Sequence, residues 1–208
     1  MTVAPDLLRF ETEAYLAGYL SIAGTDEAGR GPLAGPVVAA AVILHPGQVM
    51  GGVTDSKKLT ERQREKLYPM IMAEACGVGI GICDHHEIDR LNILRASLEA
   101  MRRAVAALPV AADFLLVDGS YTVPLEIPQQ AVVKGDSLSL SIAAASIIAK
   151  VTRDRLMVEY DSRYPGYGFA GHKGYPSTSH RAAIVRLGPC SIHRKSFRGV
   201  KEFVRVEK

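Results

Sequence analysis

Residues 19–44 read YLSIAGTDEAGRGPLAGPVVAAAVIL, and the parsing of this stretch decides the fold. Tyr19–Thr25 and Val37–Leu44 are apolar runs of strand length, the second nearly all aliphatic. Between them DEAGRGPLAGP carries the glycines and prolines of a short connection. Two strands joined so closely are expected to be antiparallel neighbours.

Working outward, Gly77–Cys83 (GVGIGIC) alternates glycine with apolar residues and reads as a third strand, closely approached by its neighbours. Phe114–Val117 (FLLV) gives a fourth strand and Gln130–Val133 a short fifth. Helical periodicity is weak over Asp6–Tyr15. A helix is expected over Thr60–Ala75, with Thr60 as its N-cap. Leu91, Leu94, Leu98, Met101, Val105 and Leu108 mark one face of a strong amphipathic helix that Pro109 stops. Small residues at Ala143, Ala144, Ala145, Ser146 and Ala149 imply a tightly packed helix within Ser137–Tyr160, and a short helix follows around His180–Leu187. With no repeat and no linker, the expectation is one α/β domain over residues 1–208. Its core would span about 19–160, with a basic C-terminal extension, about 161–208, packed on it.

Composition excludes several classes. The chain has 208 residues, 48% hydrophobic and 23% charged, which suits a soluble globular domain with a real core. Its apolar runs are too short to span a bilayer, and the one from Ile142 is broken by Ser146 and Lys150. Asp6, Glu11 and Glu13 stand where an export signal would want basic residues, so a cytoplasmic location is expected. Cys76, Cys83 and Cys190 are odd in number and form no CxxC pair, which argues against a disulfide framework or thiolate zinc site. Charge is lopsided: residues 150–208 hold 13 Lys or Arg against 5 Asp or Glu, while the whole chain is only +3. Such a segment suits a polyanion, and equally a solvated helical surface.

Four carboxylates fall where strands end or helices begin: Asp26, Glu27, Asp118 and Asp136. Were those strand ends to converge, the carboxylates would repel unless joined by a cation, and all-oxygen ligands favour Mg²⁺ or Mn²⁺ over zinc. Taken singly, Asp118 before Gly119 reads as a turn residue and Asp136 as a helix cap. Adjacent Asp26 and Glu27 face opposite sides of a regular strand and can share a site only if the strand ends or bulges there. Gly29-Arg30-Gly31 lacks dinucleotide-fingerprint spacing; it reads either as a tight turn or as bare backbone that a nucleic acid can approach. Asp84-His85-His86-Glu87 reads as an exposed helix start, because adjacent histidines diverge by about 100° on a helix. His172, His180 and His193 stand among basic residues, suited to phosphate contact or to capping loops. No serine sits in a GxSxG elbow.

In order along the chain, Thr25–Val37 (TDEAGRGPLAGPV), Asp55–Thr60 (DSKKLT), Val117–Gly119 (VDG), Lys134–Asp154, His172–Pro176 (HKGYP) and His193–Phe197 (HRKSF) resemble the motifs of bacterial ribonuclease HII. The resemblance runs from about Tyr19 to Phe197. It implies a ribonuclease H-like fold: a five-stranded mixed sheet flanked by helices, with a C-terminal helical extension. It further implies that Asp26, Glu27, Asp118 and Asp136 are catalytic and hold two Mg²⁺ or Mn²⁺ ions. The implied reaction is endonucleolytic hydrolysis 5′ of ribonucleotides, in RNA–DNA hybrids and in DNA duplexes with embedded ribonucleotides, leaving 3′-hydroxyl and 5′-phosphate ends. Gly29, Arg30 and Gly31 would read the 2′-hydroxyl, Tyr175 would stack on the neighbouring sugar, and Lys57, Lys58 and Lys150 would meet phosphates. Without the resemblance, Tyr175 reads as a buried tyrosine with a satisfied hydroxyl.

Ribonuclease HIII fits less well, since it usually carries an extra N-terminal domain for which the stretch before Tyr19 leaves no room. The last residues form no convincing sliding-clamp motif, so a monomer without an obligate protein partner is expected. Two other readings stand beside this one: a catalytically silent nucleic-acid-binding domain, and another two-metal nuclease on a related fold.

Overall fold

The computed structural model describes residues 6–204. Five strands form one sheet: β1 (Ile22–Ala28), β2 (Val37–Ile43), β3 (Gly77–Cys83), β4 (Phe114–Asp118) and β5 (Gln129–Val132). Their order is β3-β2-β1-β4-β5, antiparallel across the first three and parallel from β1 to β4 to β5. The helices are α1 (Arg9–Leu16), α2 (Glu61–Glu74), α3 (His85–Leu91), α4 (Ile93–Ala106), α5 (Leu140–Arg163), α6 (Phe169–His172) and α7 (Thr178–Leu187).

The aliphatic run in β2 is explained by burial on both faces. Val37, Ala39, Ala41 and Ile43 pack in the cluster that includes α4, while Ala40 and Val42 pack in that of α2 and α5. Thr60 caps α2 through a reciprocal box with Gln63, and Asp84 caps α3 the same way with Glu87. The DHHE segment is therefore the helix start that its spacing predicted.

The amphipathic segment differs from expectation in two ways. Asn92, at φ 68°, ends α3 and caps α4 through its side chain, so the helix breaks directly after Leu91. The buried face of α4 is also built from Ala96, Ala100, Met101, Ala104 and Val105, with the leucines at its margin. The cause lies in β3, where a Cβ on Gly81 would fall 2.0 Å from the Ala100 carbonyl oxygen and one on Gly79 2.1 Å from that of Ala104. The helix backbone lies on bare strand backbone, and only small residues fit at that crossing.

On the other face α5 runs under β1 and β2, its alanines at van der Waals contact with the sheet. Ser139 caps α5, so Asp136 is not the cap that its position suggested; it lies in a separate 3-10 turn, Gly135–Ser137. Beyond α5, Tyr167, Phe169, Ala183 and Ile192 pack on Met157 and Ala34 and bring the C-terminal segment against the β1–β2 connection. Among the described residues no helix is long and apolar enough to cross a membrane. Cys76, Cys83 and Cys190 are unbridged.

Candidate active site

Strand β1 continues past Thr25, where the sequence suggested it would stop, and stays in regular register as far as Ala28. Its pairing with β4 ends at Thr25–Val117, so Asp26 and Glu27 lie on an overhang whose β4 side is open. That is why two adjacent carboxylates line one cleft without a bulge. Asp118 closes β4 at the same level, and the 3-10 turn after β5 brings the Asp136 amide to 3.4 Å from the Asp118 carboxylate.

The cleft has a volume of about 210 Å³ and is lined by Asp26, Glu27, Gly29, Arg30, Gly31, Ser56, Lys57, Asp118, Ser146, Lys150 and Tyr175. Asp136 stands just behind this wall and is tied to it by Lys57, whose Nζ donates to its carboxylate at 2.7 Å. Lys58 is set to the side, donating to the Ser137 hydroxyl at 3.3 Å. The expected site residues are thus brought together, with Asp136 behind the cleft wall and Lys58 at its margin.

The carboxylates are poorly compensated. Burial holds Asp26, only 3% exposed, well above the usual carboxylate range; Glu27 and Asp118 add repulsion, while the Ser146 hydroxyl and the Glu27 amide oppose it. Burial raises Glu27 too, against the pull of Arg30 at 3.2 Å. Burial, then the charge of Asp136, raises Asp118. Burial works against the charge on Lys57, but Asp136, Asp26 and Asp55 together hold its pKa above the ordinary lysine value. Each raised carboxyl marks a place where added positive charge would be stabilising.

The donor set, all oxygen and anionic, fits a hard divalent cation. Among the described residues no three His, Cys, Asp or Glu side chains stand close enough to form a ready cage.

The β1–β2 connection forms the opposite wall and rests on two cations that the sequence reading did not single out. Arg153 and Arg194 are both fully buried. Arg194 donates to the carbonyls of Gly29, Arg30, Gly35 and Pro36; Arg153 donates to those of Ala34, Pro36 and Lys173. Burial pushes their pKa values down to about 10 for Arg153 and about 9 for Arg194, so both stay charged at neutral pH. Two of the cations in the basic C-terminal quarter are therefore internal struts. Gly29 is required by them: its φ is 102°, and a Cβ there would meet Arg153 Nε at 2.1 Å. Gly31 has no such constraint; the nearest atom to a Cβ would be Tyr175 Cε1 at 3.7 Å, which leaves bare backbone facing the cleft. Tyr175 itself is 41% exposed at the rim, not the buried tyrosine of the plainer reading.

A family model described as Ribonuclease HII matches residues 23–200. The chain belongs to the ribonuclease HII family. It is 63% identical to a ribonuclease HII of Geotalea uraniireducens over 203 residues, 98% of this chain and 94% of that one. It is 66% identical to a ribonuclease HII of Geobacter sp. strain M21 over 197 residues, covering 95% and 86% of the two chains. The ribonuclease H2 of Pyrococcus horikoshii is similar in structure, with a TM-score of 0.74 at 28% identity, over 88% of this chain and 96% of that one. As a ribonuclease HII family member, the protein is an endoribonuclease with the ribonuclease H-like fold, acting on RNA–DNA substrates.

Arg153 had a signal in the sequence: it follows Ser146 and Ala149 at helical spacing, so it shares their buried stripe on α5. Ser146 carries the same signal; it meets the Ser56 hydroxyl at 2.7 Å and borders Asp26. Arg194 is marked only by lying within HRKSF, because its partners are backbone carbonyls about 160 residues away in the chain.

Proposed function

We propose that this enzyme is a divalent-metal-dependent endonuclease that cuts on the 5′ side of ribonucleotides, in RNA–DNA hybrids and in DNA duplexes with embedded ribonucleotides, leaving 3′-hydroxyl and 5′-phosphate ends. The observation that carries this reading is one cleft with two unlike walls: clustered, under-compensated carboxylates on one side, and the bare Gly31 backbone beside Tyr175 on the other.

Asp26, Glu27, Asp118 and Asp136 are the groups that would hold one or two Mg²⁺ or Mn²⁺ ions. Bound there, such ions supply Lewis-acid charge for attack by water and for the departing 3′ oxygen. The residues of the chain then do the rest. Gly29-Arg30-Gly31, fixed from behind by Arg153 and Arg194, presents peptide groups to a 2′-hydroxyl, the one group that separates RNA from DNA. A side chain at residue 31 would fill the space toward Tyr175, so glycine keeps it open for a sugar. Tyr175 offers a ring face at the rim for the next sugar, steadied by Lys150 Nζ at 5.7 Å and Arg153 at 5.8 Å from its centroid. Lys57, Lys58 and Lys150 supply positive charge to the scissile and flanking phosphates. Lys57 also holds Asp136 in place until substrate and ion arrive.

The test is an end-labelled DNA duplex with one ribonucleotide beside an all-DNA control, incubated with Mg²⁺, Mn²⁺ or excess EDTA and mapped to the nucleotide. A metal-dependent cut 5′ of the ribonucleotide, absent from the control, is the expected result. Binding without cleavage under every metal would make the protein a silent binder, and equal cutting of both duplexes a general nuclease.

A further inference from the structure

Behind Tyr175, away from the carboxylates, lies a group of aromatic and imidazole rings that the reaction above does not use. His180 and His193 are fully buried, with their Nε2 atoms 3.1 Å apart. The backbone around them fixes where each proton sits. The Cys190 amide donates to His193 Nδ1 at 2.9 Å, so that nitrogen carries no proton and His193 is protonated on Nε2. His193 Nε2–H then donates to His180 Nε2, which must be bare. His180 is therefore protonated on Nδ1, and this N–H donates to the Tyr175 carbonyl at 2.9 Å. The wiring runs from the Cys190 amide to His193 to His180 to Tyr175; the Cys190 carbonyl lies farther from His193 Nδ1, at 3.3 Å, than the amide at 2.9 Å.

We propose that His180 and His193 are positioning residues: a neutral imidazole pair that fixes the Tyr175 backbone, and so its ring against Gly31. The inference rests on the reading of Tyr175 as a sugar contact. A second proton on either ring would turn a bare nitrogen into a donor. On His180 it would face His193 Nε2–H and break the joint between the two rings, while Nδ1–H still donated to Tyr175; on His193 it would face the Cys190 amide, with the Cys190 carbonyl 3.3 Å away as the nearest acceptor. The Tyr175 amide is held within its own loop, donating to the His172 carbonyl at 2.9 Å, and the residues around it take unusual backbone or capping roles. Lys173 and Gly174 both have positive φ, and Ser177 is committed to capping α7. The other bond to the Tyr175 carbonyl comes from the Ser177 amide at 2.8 Å, within the same turn, so His180 is the tie from that carbonyl into α7.

The surroundings favour the neutral form. His172, on α6, stacks on His180 with centroids 4.4 Å apart, and Phe169 meets His180 edge-on at 5.4 Å. Tyr167 lies against His193 at 5.1 Å, and Cys190 Sγ is 3.1 Å from its Nδ1. Beyond these, Arg181 on α7 acts on His180 and His85 on α3 acts on His193, and both disfavour a further positive charge. Among the described residues the hydrogen-bond partners of the pair are backbone groups, Cys190 Sγ and each other, with no carboxylate bonded to either ring. Burial, the largest influence on each, lowers His180 and brings His193 to about 4.

Two measurements decide it. Long-range proton–nitrogen correlation spectra of histidine-labelled protein at neutral pH should show His180 protonated on Nδ1 and His193 on Nε2. A charged ring, or the reverse tautomers, overturns the proposal, and this readout needs no activity. A mutant cycle on the single-ribonucleotide duplex gives the functional side. His180→Leu is expected to lower kcat/KM by roughly tenfold, the loss of one buried hydrogen bond. His180→Asn, whose amide N–H takes the place of Nδ1–H, should recover most of it. In a Tyr175→Ala background His180→Leu should have no further effect, because its influence passes through Tyr175. Additive losses, or an Asn variant as poor as Leu with an unchanged circular dichroism spectrum, overturn the proposal. If the wild type cuts the all-DNA control equally, the functional reading fails instead, and the tautomer spectra still decide the relay.

Discussion

Replacing Arg194 by Met removes a buried guanidinium while keeping most of the volume of its stem. The carbonyls of Gly29, Arg30 and Gly35 lose their side-chain donor, whereas Pro36 keeps Arg153 Nε at 3.0 Å. Each orphaned acceptor costs about 1–3 kcal/mol, and removing a buried charge without a carboxylate partner offsets part of the sum. A net loss of about 3 kcal/mol follows, against a total stability on the order of 5–15 kcal/mol. At about 2–4 °C per kcal/mol for a domain of this size, the melting temperature should fall by roughly 10 °C. Arg194→Lys should recover only part of this, since a point-like ammonium cannot bond carbonyls spread around a planar fork. Urea unfolding of the three proteins measures the effect, with the slope of the transition checked for constancy. Cleavage at a ribonucleotide should fall in both variants while the protein is still folded, because the loop loses its footing. A loss below about 1 kcal/mol, or full recovery by Lys, would refute the strut argument.

Three further outcomes follow from the same structure. Burial and the neighbouring acids raise the folded-state pKa of Asp26 above its unfolded value, so the ionised form weakens the fold at neutral pH, and the penalty fades as pH falls through the folded pKa. Asp26→Asn should therefore stabilise the metal-free protein on the order of 1 kcal/mol in thermal melts with EDTA, while abolishing cleavage; a lower midpoint or retained cutting contradicts it. Gly81→Ala places a Cβ 2.0 Å from the Ala100 carbonyl and 2.5 Å from the Ala104 amide, so α4 must lift, at about 4 kcal/mol; unaltered melting contradicts this. His193, lowered from 6.5 to about 4, contributes stability that is complete above 6.5 and is lost as pH falls to about 4. That loss is on the order of 3 kcal/mol, and His193→Gln should remove it from the difference between neutral and acid urea melts; an acid slope unchanged in the variant contradicts it.

The sheet was legible because its signals are local. The aliphatic run in β2, the alternating glycines of β3 and the apolar stretch of β4 each report burial from neighbouring residues alone. The break at Asn92 was hidden, since leucines continue the helical rhythm on both sides while one residue with positive φ redirects the chain. The rotation of α4 was hidden for another reason: it follows from Gly79 and Gly81, which the sequence separates from the helix. The four carboxylates could be named from position, but their shared cleft depends on β1 outrunning β4, a matter of register that one strand cannot state. The struts and the imidazole pair were least legible. Helical spacing marks Arg153 as buried, and His180 and His193 could be named, but the partners of all four, Arg194 included, are largely backbone groups, whose identity leaves no mark on the sequence.

The central claim is that the cleft between Asp26 and Tyr175 selects a 2′-hydroxyl and cuts beside it. The most direct measurement is single-turnover cleavage of three duplexes identical except at one sugar, which carries a 2′-hydroxyl, a 2′-hydrogen or a 2′-O-methyl group. Wild type and Asp118→Asn would be compared at saturating Mn²⁺. The account predicts a cut 5′ of the 2′-hydroxyl sugar alone, by the wild type alone. Comparable cutting of the 2′-deoxy duplex, or undiminished cutting by Asp118→Asn, would contradict it.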